Sequence, residues 1–269
     1  MRFPVGWPAL RRANDAGGNS DRSDLPAARN GTGGRFVGRG IPLPAPGSRQ
    51  HERRTPMVRT VKVPPQFQPV FEEAERNVGA FFDTMERDPS RGVINIGGER
   101  YILMRGESIF RTLRNKMVVE FGREVAASFL YDLAKTVGRG DSQRFAEKLG
   151  LQDPLRRLAA GPVHFSHTGW AFVDILPQSN PVPGDGYLLV YDHPNTFESA
   201  TYLQDKKRSD DPVCLFSAGY SAGWCSFSFG LELDAREVSC IACGDPQCRF
   251  VMAPPQRLQA QVDRFRTRA

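Results

Sequence analysis

The chain has 269 residues, 36 Lys plus Arg against 30 Asp plus Glu, and a formal charge of +6, long enough to bury a substantial core. The charge is uneven: residues 1–60 hold 11 Arg, no Lys and 4 acidic residues, while the other 209 carry 25 basic and 26 acidic side chains. A near-neutral body argues against a duplex-binding face, which needs clustered Lys and Arg, and no run of 18 apolar residues offers a membrane span.

Residues 1–60 contain 9 Gly and 7 Pro, few aliphatic residues and no regular apolar period. Such a segment buries too little to offset chain entropy and is expected to be a disordered tail. Met57 is a candidate start, and residues 65–269 are expected to form a single domain. The Arg-rich opening lacks the continuous apolar core of a secretory signal, which places the chain in the cytoplasm as an expectation.

Within the body, Val70, Phe71, Ala74, Val78, Phe81, Phe82 and Met85 recur at helical spacing and predict a helix over 69–87. Val93-Ile94-Asn95-Ile96 and Tyr101-Ile102-Leu103-Met104 flank Gly97-Gly98 and predict a β-hairpin. Two apolar stripes follow, Ile109, Leu113, Met117, Val118 and Phe121, then Val125, Phe129, Leu130, Leu133 and Val137. Asp141 and Ser142 suit the cap of a short helix that runs to Leu149 and stops at Gly150. Residues 163–176 and 186–191 read as strands, joined by a Pro/Gly-rich loop at 177–184. Asn195-Thr196-Phe197-Glu198 opens a helix, and the apolar, Gly/Ser-rich 212–224 suits a buried helix packed on a sheet. Residues 233–242 and 248–252 form a second hairpin around Gly244-Asp245-Pro246, and a helix over 255–266 ends the pattern. The fold class is α+β, with a helical first half and one hairpin, then an antiparallel sheet with packed helices.

All five cysteines, Cys214, Cys225, Cys240, Cys243 and Cys248, lie in the last 56 residues. An odd number without a signal peptide points to thiols in a reducing compartment. The turn at 244–247 brings Cys240 and Cys248 side by side, so Cys240, Cys243 and Cys248, with Cys214 from a distance, are candidate zinc ligands. Their spacing is not a standard zinc pattern, and the alternative is that they are buried as small hydrophobes.

Pro212-Val213-Cys214, Ser217-Ala218-Gly219-Tyr220-Ser221-Ala222-Gly223-Trp224, Glu237-Val238-Ser239-Cys240 and Gly244-Asp245-Pro246-Gln247-Cys248-Arg249-Phe250 resemble the 4-vinyl-reductase-type small-molecule-binding domain. That domain is the N-terminal sensor of xylene- and phenol-responsive transcriptional activators and occurs in bacteriochlorophyll-biosynthesis proteins. Gly161-Pro162, Gly169 and Asn195-Thr196-Phe197-Glu198 fit the same pattern; the likeness is specific over 161–255. The resemblance implies a structural zinc held by Cys214, Glu237, Cys240 and Cys248, which puts Glu237 in place of Cys243 and clamps the second hairpin.

Phenol-responsive members hold the ligand hydroxyl with a His and a Trp, whose positions here carry Phe165 and His193. On a strand, His164 points away from the face shared by Phe165 and His167. His167 with His193 would then supply a polar handle in a pocket lined by Phe165, Trp170, Phe172, Phe197, Tyr202, Tyr220 and Trp224; the alternative is that these aromatics are ordinary core.

The resemblance implies a stand-alone sensor for a small aromatic or hydrophobic molecule, with no catalytic residues, a homodimer for which the stripes at Val70–Met85 and Ile109–Phe121 offer an interface, and a separate output protein; the same stripes would equally suit burial within one chain. The sequence holds no ATPase motif, DNA-binding helix pair, or nicotinamide or flavin fingerprint. Two other readings stay open: a carrier or accessory handling a tetrapyrrole, and a zinc-stabilised protein-interaction module.

Overall fold

A computed structural model describes residues 60–204 and 208–266. The tail expected over 1–60 falls outside the described residues but for Thr60, as do Lys206 and Lys207; the side chain of Ile109, placed in the first stripe, is also outside them. The first strand β1 (Val61–Lys62) leads into α1 (Gln68–Phe82), which buries Phe71, Ala74, Val78, Phe81 and Phe82. The helix stops five residues short of the predicted end. Thr84 donates its hydroxyl to the Phe81 carbonyl at 2.7 Å and accepts from the Gly97 amide at 2.7 Å, so it turns the chain into a third strand of the predicted hairpin.

That small antiparallel sheet is β2 (Glu86–Asp88), β3 (Val93–Ile96) and β4 (Glu99–Tyr101), in that order. Gly97 and Gly98 both take positive φ, +58° and +83°, as a two-residue hairpin turn demands. The last strand ends at Tyr101, and Ile102, Leu103 and Met104 stand exposed.

A π-helical turn (Glu107–Arg111), α2 (Thr112–Phe121) and the 27-residue α3 (Arg123–Leu149) follow. No break occurs at Asp141 and Ser142. Both sit inside α3, where Asp141 accepts from the Tyr220 hydroxyl at 2.9 Å and Ser142 pairs with Ser228 at 3.3 Å, so their polar groups tie helices together instead of capping one. Gly150, at φ +65°, does end the helix.

The largest difference lies at 163–176. The structure has α4 (Pro154–His167) there and only a short strand, β5 (Val173–Ile175). Asp153 accepts from the amides of Leu155 and Arg156, and Pro154 occupies the first turn, so the helix starts well upstream of the run that reads as extended. Pro162 lies within it and leaves the Leu158 carbonyl without its helical donor. The Trp224 indole donates to the neighbouring Arg157 carbonyl at 2.8 Å.

Then come β6 (Leu189–His193), α5 (Phe197–Leu203), α6 (Leu215–Phe229), β7 (Asp234–Ser239), β8 (Cys248–Ala253) and α7 (Pro255–Phe265). The main sheet has the order β1-β5-β6-β8-β7, antiparallel except where β1 pairs β5. Strand β6 is buried on both faces. Leu189 and Tyr191 join the main core with α1, α4 and α6, while Val190 packs with Val251, Leu258 and Val262 under α7.

Helix α6 makes its closest approach to α3, not to the sheet. A Cβ on Gly138, Gly219 or Gly223 would overlap the backbone carbonyl of Tyr220, Tyr131 or Lys135, so the glycines of α6 serve a helix–helix seam. The opposite side of α3 exposes Val125, Phe129, Leu133 and Val137, beside exposed Val119 and Phe121 of α2. The α+β class holds. Among the described residues no helix is long and apolar enough to cross a membrane.

Candidate functional site

Four donors converge where α6 meets the β7–β8 hairpin. Cys214 is the N-cap residue of α6, Glu237 lies on β7, Cys240 follows that strand, and Cys248 opens β8. One ligand atom from each lies within 4.8 Å of the others, and all four side chains are buried. The Cys214 and Cys248 sulfurs are 3.6 Å apart. A tight turn holds the hairpin end, with the Cys240 amide donating to Asp245 Oδ2 at 2.6 Å. A register shift between Glu237 and Ser239 in the β7–β8 pairing belongs to the same bend.

The electrostatics of the cluster call for a cation. Glu237 Oε2 accepts from the Cys214 amide at 2.9 Å, but Oε1 is buried with no partner among the described residues. Burial pushes the Cys214 thiol and the Glu237 carboxyl well up, while hydrogen bonds from the Cys214 and Cys248 thiols hold Cys240 well down as the thiolate. A divalent ion would take the protons' place, because thiolate and carboxylate are the forms that bind it. Three sulfurs and one oxygen at this spread suit a four-coordinate, borderline-soft ion. Cys243 stays outside the cluster, half-buried.

The second feature is an interior cavity of about 30 Å³ between α4, α6 and strands β5 and β6. Its wall includes Phe165, Tyr220 and Trp224 from the predicted pocket, together with Leu158, Tyr191 and Ser221, which sequence reasoning did not single out. Trp170 packs behind the wall, 5.1 Å from the Phe165 ring and 4.8 Å from that of Tyr220, and Phe197 packs on Trp170 in turn. Tyr202 lies elsewhere, under the Arg114 guanidinium.

The two histidines of the predicted handle do not meet at the cavity. His164, Phe165 and His167 are on a helix, so His164 and His167, three residues apart, share a side. His167 stacks on Phe82 at 4.7 Å, facing an outer groove. His164 is the buried one, stacked on Trp224 and 3.4 Å from the Tyr220 hydroxyl. His193 is fully buried beside Phe165, its Nδ1 2.8 Å from the Phe172 carbonyl and its Nε2 without a partner among the described residues.

Residues 194–254 match the model of the 4-vinyl-reductase domain, and residues 81–178 match the model described as activator of aromatic catabolism. Residues 194–254 thus carry the 4-vinyl-reductase-type domain pattern. The phenol regulator MopR of Acinetobacter guillouiae is 24% identical over 182 residues, 68% of this chain and 32% of that protein. The transcriptional regulatory protein XylR of Pseudomonas putida is 26% identical over 165 residues, 60% of this chain and 28% of that protein. The chain therefore spans about a third of the length of the curated relatives it matches. The crystal structure of the phenol-responsive sensory domain of the transcription activator PoxR with phenol shares the fold, with a TM-score of 0.60, 21% identity, and coverage of 72% of this chain and 97% of that one.

All four converging donors lie inside the 4-vinyl-reductase match, whereas the cavity is shared. Its α4 and β5 walls fall in the 81–178 match, its α6 wall in the 194–254 match, and Tyr191 between the two. Thr196, the α5 N-cap, accepts from the Ser199 amide at 2.9 Å and has its hydroxyl 3.1 Å from the Cys214 sulfur. Glu198, within the same 194–254 match, is buried and accepts from the amides of Phe216 and Ser217 at 2.9 and 2.8 Å. It tethers the first turn of α6, and burial pushes its carboxyl up to about 7 against the pull of the Ser217 hydroxyl and those amides. Its spacing from Cys214 carries no signal that would have found this contact.

Proposed function

We propose that the protein is a ligand-binding sensor domain for a small aromatic molecule, stabilised by zinc at Cys214, Glu237, Cys240 and Cys248. The observation that carries the reading is the interior cavity walled by Phe165, Tyr220 and Trp224, with the hydroxyls of Tyr191 and Ser221 on its lining. An enclosed apolar space with a few polar groups is the form small-molecule sites take. The likeness to regulators named for phenol supports the aromatic class. Zinc in a four-ligand set of this kind is structural; it joins the start of α6 to the β7–β8 hairpin.

Size supplies the sensing step. Engineered cavities that admit benzene measure about 150 Å³, about five times the volume here. A ring enters only if α6, α4 and the sheet separate. Helix α6 starts at Cys214 and is packed without slack on α3, whose other side carries the exposed Val125, Phe129, Leu133 and Val137. Expansion at the cavity therefore moves the face on which a second copy docks, and through it a separate output protein receives the signal. The same volume is far below what a tetrapyrrole needs, so a carrier role is the weaker reading.

The test is native mass spectrometry of the purified chain, with and without denaturant, followed by thermal melts with a panel of aromatic compounds. One zinc per chain, retained until unfolding, and a melting rise with at least one ring compound are expected. Protein kept reduced and free of chelator that carries no metal would refute the zinc site. A melt unmoved by every compound would refute the ligand site.

A further inference from the structure

We infer that a ring ligand reaches the interior cavity from an outer groove, past a gate made by the Tyr220 side chain and latched by Asp141; this rests on reading that cavity as the ligand site. The groove, about 450 Å³, opens between β4, α3 and the end of α4, with Tyr101, Val137, Asp141, His164 and Trp170 on its walls. Cavities that admit benzene measure about 150 Å³, so the groove takes a ring as it stands. Among the described residues, Tyr220 is the one that lines both the groove and the cavity. The other rings of the cavity wall are covered from outside. Trp170 packs on Phe165 at 5.1 Å and His164 on Trp224 at 5.5 Å, and both covering rings line the groove. A path past Phe165 or Trp224 therefore crosses two rings, whereas a path past Tyr220 crosses one. On the sheet side, β6 is backed by the second core beneath α7.

The shared wall is held shut on the groove side. The Tyr220 hydroxyl donates to Asp141 Oδ2 at 2.9 Å, and its ring lies parallel to the His164 imidazole, centroids 6.2 Å apart. The backbone beneath that ring is fixed. A Cβ on Gly138 would overlap the Tyr220 carbonyl, so α6 and α3 touch at this residue. Asp141 lies one turn beyond Gly138 on α3, which keeps the acceptor in place relative to the hinge. The side chain is the part free to move: rotation into the groove breaks one hydrogen bond and meets open space. A hydrogen bond to a carboxylate is about twice as strong as a neutral one, so the gate stays closed until that bond breaks. Separation of α6, α4 and the sheet makes room for the ring, and the gate lets it through. A gate is crossed in both directions, so freeing or obstructing it changes entry and exit rates by the same factor and leaves affinity as it was.

The test is fluorine NMR exchange on the full chain, under reducing conditions, with fluorobenzene and 4-fluorophenol as probes; one titration gives the entry rate, the exit rate and Kd. Asp141→Asn keeps an acceptor but weakens the latch, and is expected to raise both rates about fivefold, the difference between a charged and a neutral hydrogen bond. Met104→Trp places a large ring on an exposed residue of the groove wall and is expected to lower both rates about threefold or more. Kd should stay within about twofold in each variant, because neither residue lines the cavity. Melting curves confirm folding; if Asp141→Asn does not fold, Met104→Trp decides. Wild-type rates in the folded variants would sink the gate and leave the ligand site standing. A change confined to one of the two rates, with Kd moving in step, would show a loosened site instead of a passage and also overturns the inference. If neither probe binds the wild-type chain, the ligand-site reading falls and the gate falls with it.

Discussion

Replacing His164 with Phe should make the protein less sensitive to acid. His164 is buried between Trp224, at 5.5 Å, and Phe145, at 4.8 Å, with the Tyr220 hydroxyl as its polar neighbour at 3.4 Å. The Tyr220 proton is committed to Asp141 at 2.9 Å, so the imidazole loses little by becoming a ring of similar shape. Burial holds the His164 pKa down to about 3, against a usual 6.5. The unfolded chain therefore binds a proton below pH 6.5 that the folded chain refuses until about pH 3. Stability from this group is complete above 6.5 and drains away as the pH falls. At pH 5 the unfolded imidazole has gained about 1.5 units of protonation free energy, or about 2 kcal/mol. His193, held down to about 4 for the same reason, contributes a similar loss. Urea unfolding at pH 8 and pH 5, zinc-saturated at both, should show wild type losing about 2 kcal/mol more than His164→Phe over that interval. Parallel losses in the two proteins would refute a neutral, buried His164.

Gly223→Ala should lower the melting temperature by several degrees, about 1–3 kcal/mol or more, because the added methyl meets the Lys135 backbone rather than a side chain that can move; an unchanged melt would show that α3 and α6 separate freely. Cys248→Ser should abolish stoichiometric zinc in elemental analysis while Cys243→Ser keeps it, and equal metal content in the two variants would break the four-donor assignment. If a second copy docks on the outer side of α3 as proposed, Phe129→Glu, which charges an exposed apolar residue there, should lower the solution mass measured by light scattering from two chains to one; a mass the substitution does not change would refute that docking face.

Local patterns carried much of the fold by themselves. The 3.6-residue period of Phe71, Ala74, Val78 and Phe82 marks α1, Gly97-Gly98 marks a turn that only positive φ can make, and Thr196 caps α5 as its position implies. The β7–β8 hairpin follows from a turn sequence between two apolar runs. These features depend on residues a few positions apart, so the sequence alone is enough to read them. The four donors span 35 residues, and their convergence was legible through the family pattern, since spacing alone favoured Cys243.

What tertiary structure decided depends on partners distant in the chain. Residues 163–167, Val-His-Phe-Ser-His after a proline, read as extended; the Asp153 cap and burial against α1 and α6 make them helical. That one change moves His167 to an outer groove and His164 into the core. Nothing within a few residues of Gly219 or Gly223 says that the helix they serve is α3. The tether of Glu198 to the amides of Phe216 and Ser217 is also invisible locally. A carboxylate meets that helix turn only when packing removes water and brings the two elements together, and that is a property of the assembled core.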